Sequence, residues 1–152
     1  MIPATISRVP EHTPARYNRL ISRSTRNNVA QYAAQGPAAI DRRLAELDRE
    51  WDIERLLETN ASSLVVAGCV LGAFVSRKFF VLPALVGGFL LQHAIQGWCP
   101  PIPLLRRLGV RTQREIDEER FALKALRGDF DHLHDRHAGR SEADEAIRAA
   151  RR

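Results

Sequence analysis

The sequence predicts an all-α membrane protein: a two-helix transmembrane hairpin carrying amphipathic cytoplasmic helices on its N-terminal and C-terminal sides. Three observations lead there. The first is an apolar block at residues 61–98, reading ASSLVVAGCVLGAFV, then Ser76-Arg77-Lys78, then FFVLPALVGGFLLQHAIQGW, inside an otherwise polar chain of 152 residues. Lipid offers no water to exposed backbone groups, so each apolar run must satisfy its own N–H and C=O groups as a helix. The second is that arginines flank the block on both sides, at Arg43, Arg49 and Arg55 before it and at Arg106, Arg107, Arg111 and Arg114 after it, whereas its centre holds only Arg77 and Lys78. The third is that apolar residues outside the block recur at helical spacing.

Residues 1–58 read as cytoplasmic amphipathic helices. Thr13 followed by Pro14 predicts an N-cap with proline at the first helical position, and Tyr17, Leu20, Ile21, Val29 and Tyr32 carry the period until Gly36. Pro37 starts the next helix. Along it Ile40, Leu44, Leu47 and Trp51 fall at intervals of four, three and four, opposite Arg42, Glu46, Arg49 and Glu50. This apolar stripe needs a surface to cover it and is the candidate partner-binding face. No helix breaker falls within residues 38–76, so the amphipathic helix is expected to run unbroken into the first span, with Glu58, Thr59 and Asn60 at headgroup level.

Residues 59–98 form the predicted hairpin, with spans at about 61–76 and 79–97. At 1.5 Å per residue these cover about 24 and 28 Å against a hydrocarbon core of about 30 Å. Local thinning and snorkelling of Arg77 and Lys78 to the far headgroups make up the deficit. Pro83, if it occupies the first helical turn, shortens the second helix further. The competing architectures are a hairpin re-entering one leaflet and a buried helical pair in a soluble protein. The excess of flanking arginines places both termini in the cytoplasm. No long apolar run precedes the hairpin, so the first span is expected to act as the insertion signal. The Arg- and Ser-rich start also has the composition of a transit peptide, but Pro3, Pro10 and Pro14 interrupt the helix such a segment needs. A turn centred between Arg77 and Lys78 sets Gly68 opposite Gly87, and Gly72 opposite Pro83 or Ala84. Gly68-x-x-x-Gly72 and Ala84-x-x-x-Gly88 are therefore the candidate helix-packing residues, either within one hairpin or between two copies.

Residues 99–130 read as an interfacial segment followed by a helix. Trp98 sits where membrane-interface aromatics sit, and Cys99-Pro100-Pro101 ends the second span. The stretch 102–110 is basic at Arg106 and Arg107, which join Arg77, Lys78, His93 and Trp98 as candidate interfacial anchors. Thr112 and Glu115 form a capping box opening a helix to about Leu126, with Gly128 past its end. Residues 131–152 form a polar tail expected to be flexible, in which Ser141 is placed to cap a short helix.

The chemistry-bearing residues are few. Cys69 lies near mid-span and Cys99 at the membrane edge, about 15–20 Å apart along the bilayer normal and far beyond disulfide reach. Cys99 is the candidate reactive thiol: at the interface, near Arg106 and Arg107, its pKa is expected to fall. His132, His134 and His137, with Asp131 and Asp135, are weak candidate metal ligands of irregular spacing, so no metal site is assigned. His93, flanked by Gln92 and Gln96, faces the partner helix or the headgroups, and anchoring is the expected role. Charge is mixed in sign on both sides of the block, with no basic stripe interleaved with aromatics, so the net charge of +5 points to anionic headgroups and not to nucleic acid. No nucleophile elbow, Walker loop, zincin motif or paired-cysteine framework is present. Neither enzymatic activity nor a cofactor is expected.

The second span and its exit, FLLQHAIQGWCPPIPLLRRLGVRT, resemble the YgaP-like transmembrane family of small bacterial inner-membrane proteins, a domain of unknown function. The resemblance covers roughly residues 55–111 and includes the interfacial Cys99-Pro100. The strings AAIDRRLAELDREWDIERLLETNAS and EIDEERFALKALRGDF are similar to a longer subgroup with cytoplasmic extensions. The best-known member joins the hairpin to a rhodanese sulfurtransferase domain; residues 1–60 here are too few for one and contain no cysteine, so sulfur transfer does not carry over. The resemblance implies a bacterial inner-membrane location. The expected function is that of a non-catalytic anchor or accessory subunit, whose partners are the lipid bilayer and a larger membrane complex or a second copy of the chain. The alternatives are a membrane-interface thiol protein acting in redox or sulfur handling through Cys99, and an oligomeric small pore or transporter.

Overall fold

The computed structural model describes residues 7–131 together with 146, 147 and 150. Its elements are all helical: α1 (Arg8–Glu11), α2 (Ala15–Ala34), α3 (Pro37–Leu47), α4 (Ile53–Phe74), a 3₁₀ turn (Arg77–Phe80), α5 (Val81–Gln96), α6 (Ile102–Arg107) and α7 (Gln113–Arg127). Among the described residues, 7–21 and 51–114 form one unit, and 22–50 with 115 onward form a second.

The first unit holds the apolar block. The expected unbroken helix from residue 38 to 76 is interrupted: α3 ends at Leu47 and α4 begins at Ile53. The interruption has a local cause. The Asp52 carboxylate accepts from the Arg55 backbone N–H at 2.7 Å, satisfying one of the donors a helix start leaves open, and the Ile53 N–H donates to the Arg111 carbonyl at 2.9 Å. A capping aspartate can therefore start a new helix where no proline or glycine marks a break. Thr13 departs from expectation too, because its hydroxyl donates back to the Val9 carbonyl at 2.8 Å and closes the α1 turn instead of capping α2.

α4 has 22 residues, about 33 Å of helix, and the 3₁₀ turn with α5 adds 20 residues, about 32 Å. Both are long and apolar enough to cross a membrane, and they exceed the apolar runs read from sequence. They pack antiparallel. A Cβ built at Gly68 falls 2.5 Å from Pro83 Cδ, and one at Gly72 falls 2.9 Å from the Phe80 ring, so both glycines are required for this approach. The register therefore differs from the expected one: Gly68 faces Pro83 and Gly72 faces Phe80. α4 stops at Phe74 and the 3₁₀ turn advances about 2 Å per residue, which moves the centre of the hairpin toward α4. As a result Ala84, Gly87 and Gly88 lie exposed, and the space around Gly87 and Gly88 is open. Around the first turns of α4, Val9, Ile53, Leu57, Cys99 and Ile102 form a core flanked by Leu105 and Val110.

In the second unit the stripe Ile40, Leu44 and Leu47 of α3 packs with Ile116 and Leu123 of α7, and with Val29 and Tyr32 of α2. The candidate partner face is thus covered by the chain's own helices. Burial of each large apolar side chain is worth about 1.5–3 kcal/mol, and α7 supplies the matching surface because it is amphipathic at the same period. Trp51, the stripe's last member, is absent from this core; it is exposed and carries the Arg55 guanidinium over its ring at 4.2 Å. Ion pairs join α3 and its C-terminal cap to α7: Asp41 with Arg127, Arg43 with Glu119 at 2.7 Å, and Asp48 with Arg120 at 2.9 Å. Partner numbers rise on α3 as they fall on α7 for Asp41 and Asp48, so the two helices run antiparallel.

Candidate functional site

The first unit concentrates its polar chemistry where α5 leaves the apolar block. Glu54, in the first turn of α4, uses both carboxylate oxygens: Oε1 accepts from Arg8 Nη2 at 2.8 Å, and Oε2 lies 2.6 Å from His93 Nε2. A carboxylate in an ion pair only accepts, so Nε2 carries the proton of this contact. His93 is 5% exposed and its Nδ1 has no hydrogen-bond partner. Arg8 also reaches the Ala94 carbonyl at 3.4 Å near the C-terminus of α5, where a cation complements the helix dipole.

Gly97 makes this docking possible. It caps α5 at φ +78°, in the left-handed region that glycine favours, and a Cβ there would sit 2.4 Å from Arg8 Cβ and 2.7 Å from its backbone. Arg106, also buried, donates to the Val110 carbonyl at 3.0 Å and to Asn18 Oδ1 at 2.8 Å. Between α4, α5 and the Cys99-Pro100-Pro101 exit lies a cavity of about 210 Å³, walled by Leu57, Asn60 and Leu64 on one side and by Phe89, Cys99 and Pro101 on the other. Trp98 packs edge to face on Phe89, with ring centroids 6.3 Å apart.

No family model, no curated protein and no solved structure matches the chain.

Of the candidate anchors, Arg77, Lys78 and Arg107 are exposed and Trp98 is half-buried. His93 and Arg106 are buried and bonded within the protein, His93 to Glu54 of the partner helix, which corrects an outward-facing anchoring role for the two side chains. Cys99 is corrected as well. It is 6% exposed, in the core and in the cavity wall, and burial pushes its thiol pKa up where proximity of arginines had suggested a fall. Arg106 is occupied by Asn18 and Val110, and Arg107 points outward, so the expected cations do not converge on the sulfur. His132, His134 and His137 lie outside the described residues, as does most of the tail from 131 to 152; among the described residues no group of three or more potential metal ligands occurs.

Sequence reasoning missed Glu54 and Arg8. Glu54 had a usable signal, a carboxylate about one turn before Leu57 and two before Ala61, on the helix that leads into the apolar block. Arg8 had none, since 46 residues separate it from Glu54 in sequence.

Proposed function

We propose that this chain is a non-catalytic bacterial inner-membrane protein, a member of the YgaP-like group by the residues quoted above, with both termini in the cytoplasm. A transmembrane hairpin anchors amphipathic helices, and the protein serves as an accessory subunit of a larger membrane complex or of a homo-oligomer.

One observation carries the reading: the outer faces of α4 and α5 are apolar and unburied. Phe74 is 85% exposed, Leu91 63% and Val66 62%, along helices long enough to span. Exposed apolar faces running along two helices mark an interaction surface, and lipid is the simplest cover for helices open on nearly all sides. α6 adds to this by turning Leu104 and Leu108 outward beside Arg107, the composition of a segment lying along a membrane surface. The second unit satisfies its own apolar stripe, so a partner has to use the spans or the outer surfaces of the helices. The buried, alkaline-shifted Cys99 gives no support to thiol chemistry.

Washing membranes with alkaline carbonate and then purifying in mild detergent tests both halves of the reading. The chain is expected to stay in the membrane pellet and to purify with a stoichiometric partner or a second copy. Release into the wash sinks the anchor, and a solitary chain in detergent sinks the accessory role.

A further inference from the structure

We infer that the cavity between α4, α5 and the Cys99-Pro100-Pro101 exit is a binding site for one acyl chain of a bilayer phospholipid. The inference rests on the spanning reading of α4 and α5 and adds a specific ligand to it.

Three features of the cavity select that occupant. Its walls carry no carboxylate and no cation, so nothing in them fixes or neutralises a charged soluble ligand, whereas pockets for such ligands place a few polar groups to orient them. Its mouth is continuous with the outer surface of the two helices: Leu64 and Phe89 line the cavity and are also 43% and 38% exposed. Whatever enters from that side comes from the medium bathing the spans. Finally, the cavity straddles the boundary between polar and apolar surroundings. From Leu57 to Leu64 it follows α4 for about 10 Å, a third of a hydrocarbon core of about 30 Å.

The polar end of that stretch is marked on both helices. Glu58, Thr59 and Asn60 are exposed on α4, and α5 has given way to Trp98 and the two prolines. Beyond Asn60 the hydroxyls of Ser62 and Ser63 donate to the Glu58 and Thr59 carbonyls, as side chains entering lipid must. Asn60 is the one amide in the wall and lies at the polar end of that stretch, with a side-chain N–H of the kind that donates to an ester carbonyl. A hydrocarbon chain with its ester at the Asn60 and Cys99 end and its methylenes against Leu64, Val86 and Phe89 matches both ends. A dry cavity of this size between helices would forfeit packing that the chain restores.

The full-length protein is reconstituted in phosphatidylethanolamine and phosphatidylglycerol vesicles, re-extracted in mild detergent and examined by native mass spectrometry. One phospholipid per chain is expected. Ala61→Trp, which places a large ring in the cavity, is expected to reduce retention at least about tenfold, while Ala67→Trp, on the exposed side of the same helix, retains it; circular dichroism checks that both stay helical. Equal retention in the two variants, no retained lipid in the unaltered chain, or a second copy of the chain in place of lipid each overturns the site. If Ala61→Trp does not fold, Cys69→Ala decides: alkylation of Cys99 by N-ethylmaleimide is expected to slow at least about fivefold when phospholipid is restored to delipidated protein, and an unchanged rate overturns the site. Carbonate extraction of the unaltered chain is scored separately, so a failure of the spanning reading is not mistaken for an empty cavity.

Discussion

A thiol moved from water into an apolar wall holds its proton more tightly, because the thiolate has lost its solvation and no cation replaces it. Cys99 is in that position, and its raised pKa has two consequences. In a Cys69→Ala background at pH 7, iodoacetamide should alkylate it at least about tenfold more slowly than a small free thiol, since only the thiolate reacts. A rate equal to that of the free thiol removes the buried placement. The stability consequence follows by sign: the folded-state pKa lies above the unfolded one, so this contribution is complete below the ordinary thiol range near 8.5 and is lost as pH rises through the folded-state value. Gly97 shows a different kind of residue constraint, one of space and handedness. Alanine there meets both a left-handed backbone and the Arg8 main chain, so the N-terminal turn and the end of α5 depend on a missing side chain.

Between elements, the antiparallel pair α3 and α7 joins an apolar seam to charged edges. Glu119 is fully buried, and Arg43 and Asn28 both donate to it. Burial works against the Arg43 charge, yet Glu119, Glu46 and Glu50 together hold its pKa above the usual arginine range. Removing the guanidinium takes a charged donor away from a fully buried carboxylate. Arg43→Met should therefore destabilise the second unit by about 3–5 kcal/mol, and Arg43→Met with Glu119→Leu should recover most of the loss, because an apolar pair of similar volume carries no desolvation cost. Chemical denaturation followed by circular dichroism measures both. A double variant no more stable than the single one contradicts the ion pair as the source.

For the whole molecule, the testable quantity is topology. A spanning hairpin with cytoplasmic termini puts the turn at Ser76, Arg77 and Lys78 on the far side of the membrane. With both native cysteines replaced by alanine, Ser76→Cys is expected to react with a membrane-impermeant maleimide added outside spheroplasts. Labelling only after the cells are opened to the cytoplasm identifies a re-entrant hairpin or an inverted chain.

Much of this protein was legible from sequence because the relevant signals are local. The apolar block, its charged centre and the ends of α2 and α7 at Gly36 and Gly128 follow from hydropathy and from backbone conformations that only certain residues favour. Those signals determine that the chain is helical and that two of its helices suit a membrane. Tertiary structure decided the rest. Whether Ile40, Leu44 and Leu47 face a partner or α7, whether Cys99 meets arginine or hydrocarbon, and which residues oppose Gly68 all depend on segments far apart in sequence. Hydropathy says that a face must be covered and leaves open by what; Arg8, Glu54 and His93 meet only once the chain has brought three separate helices together.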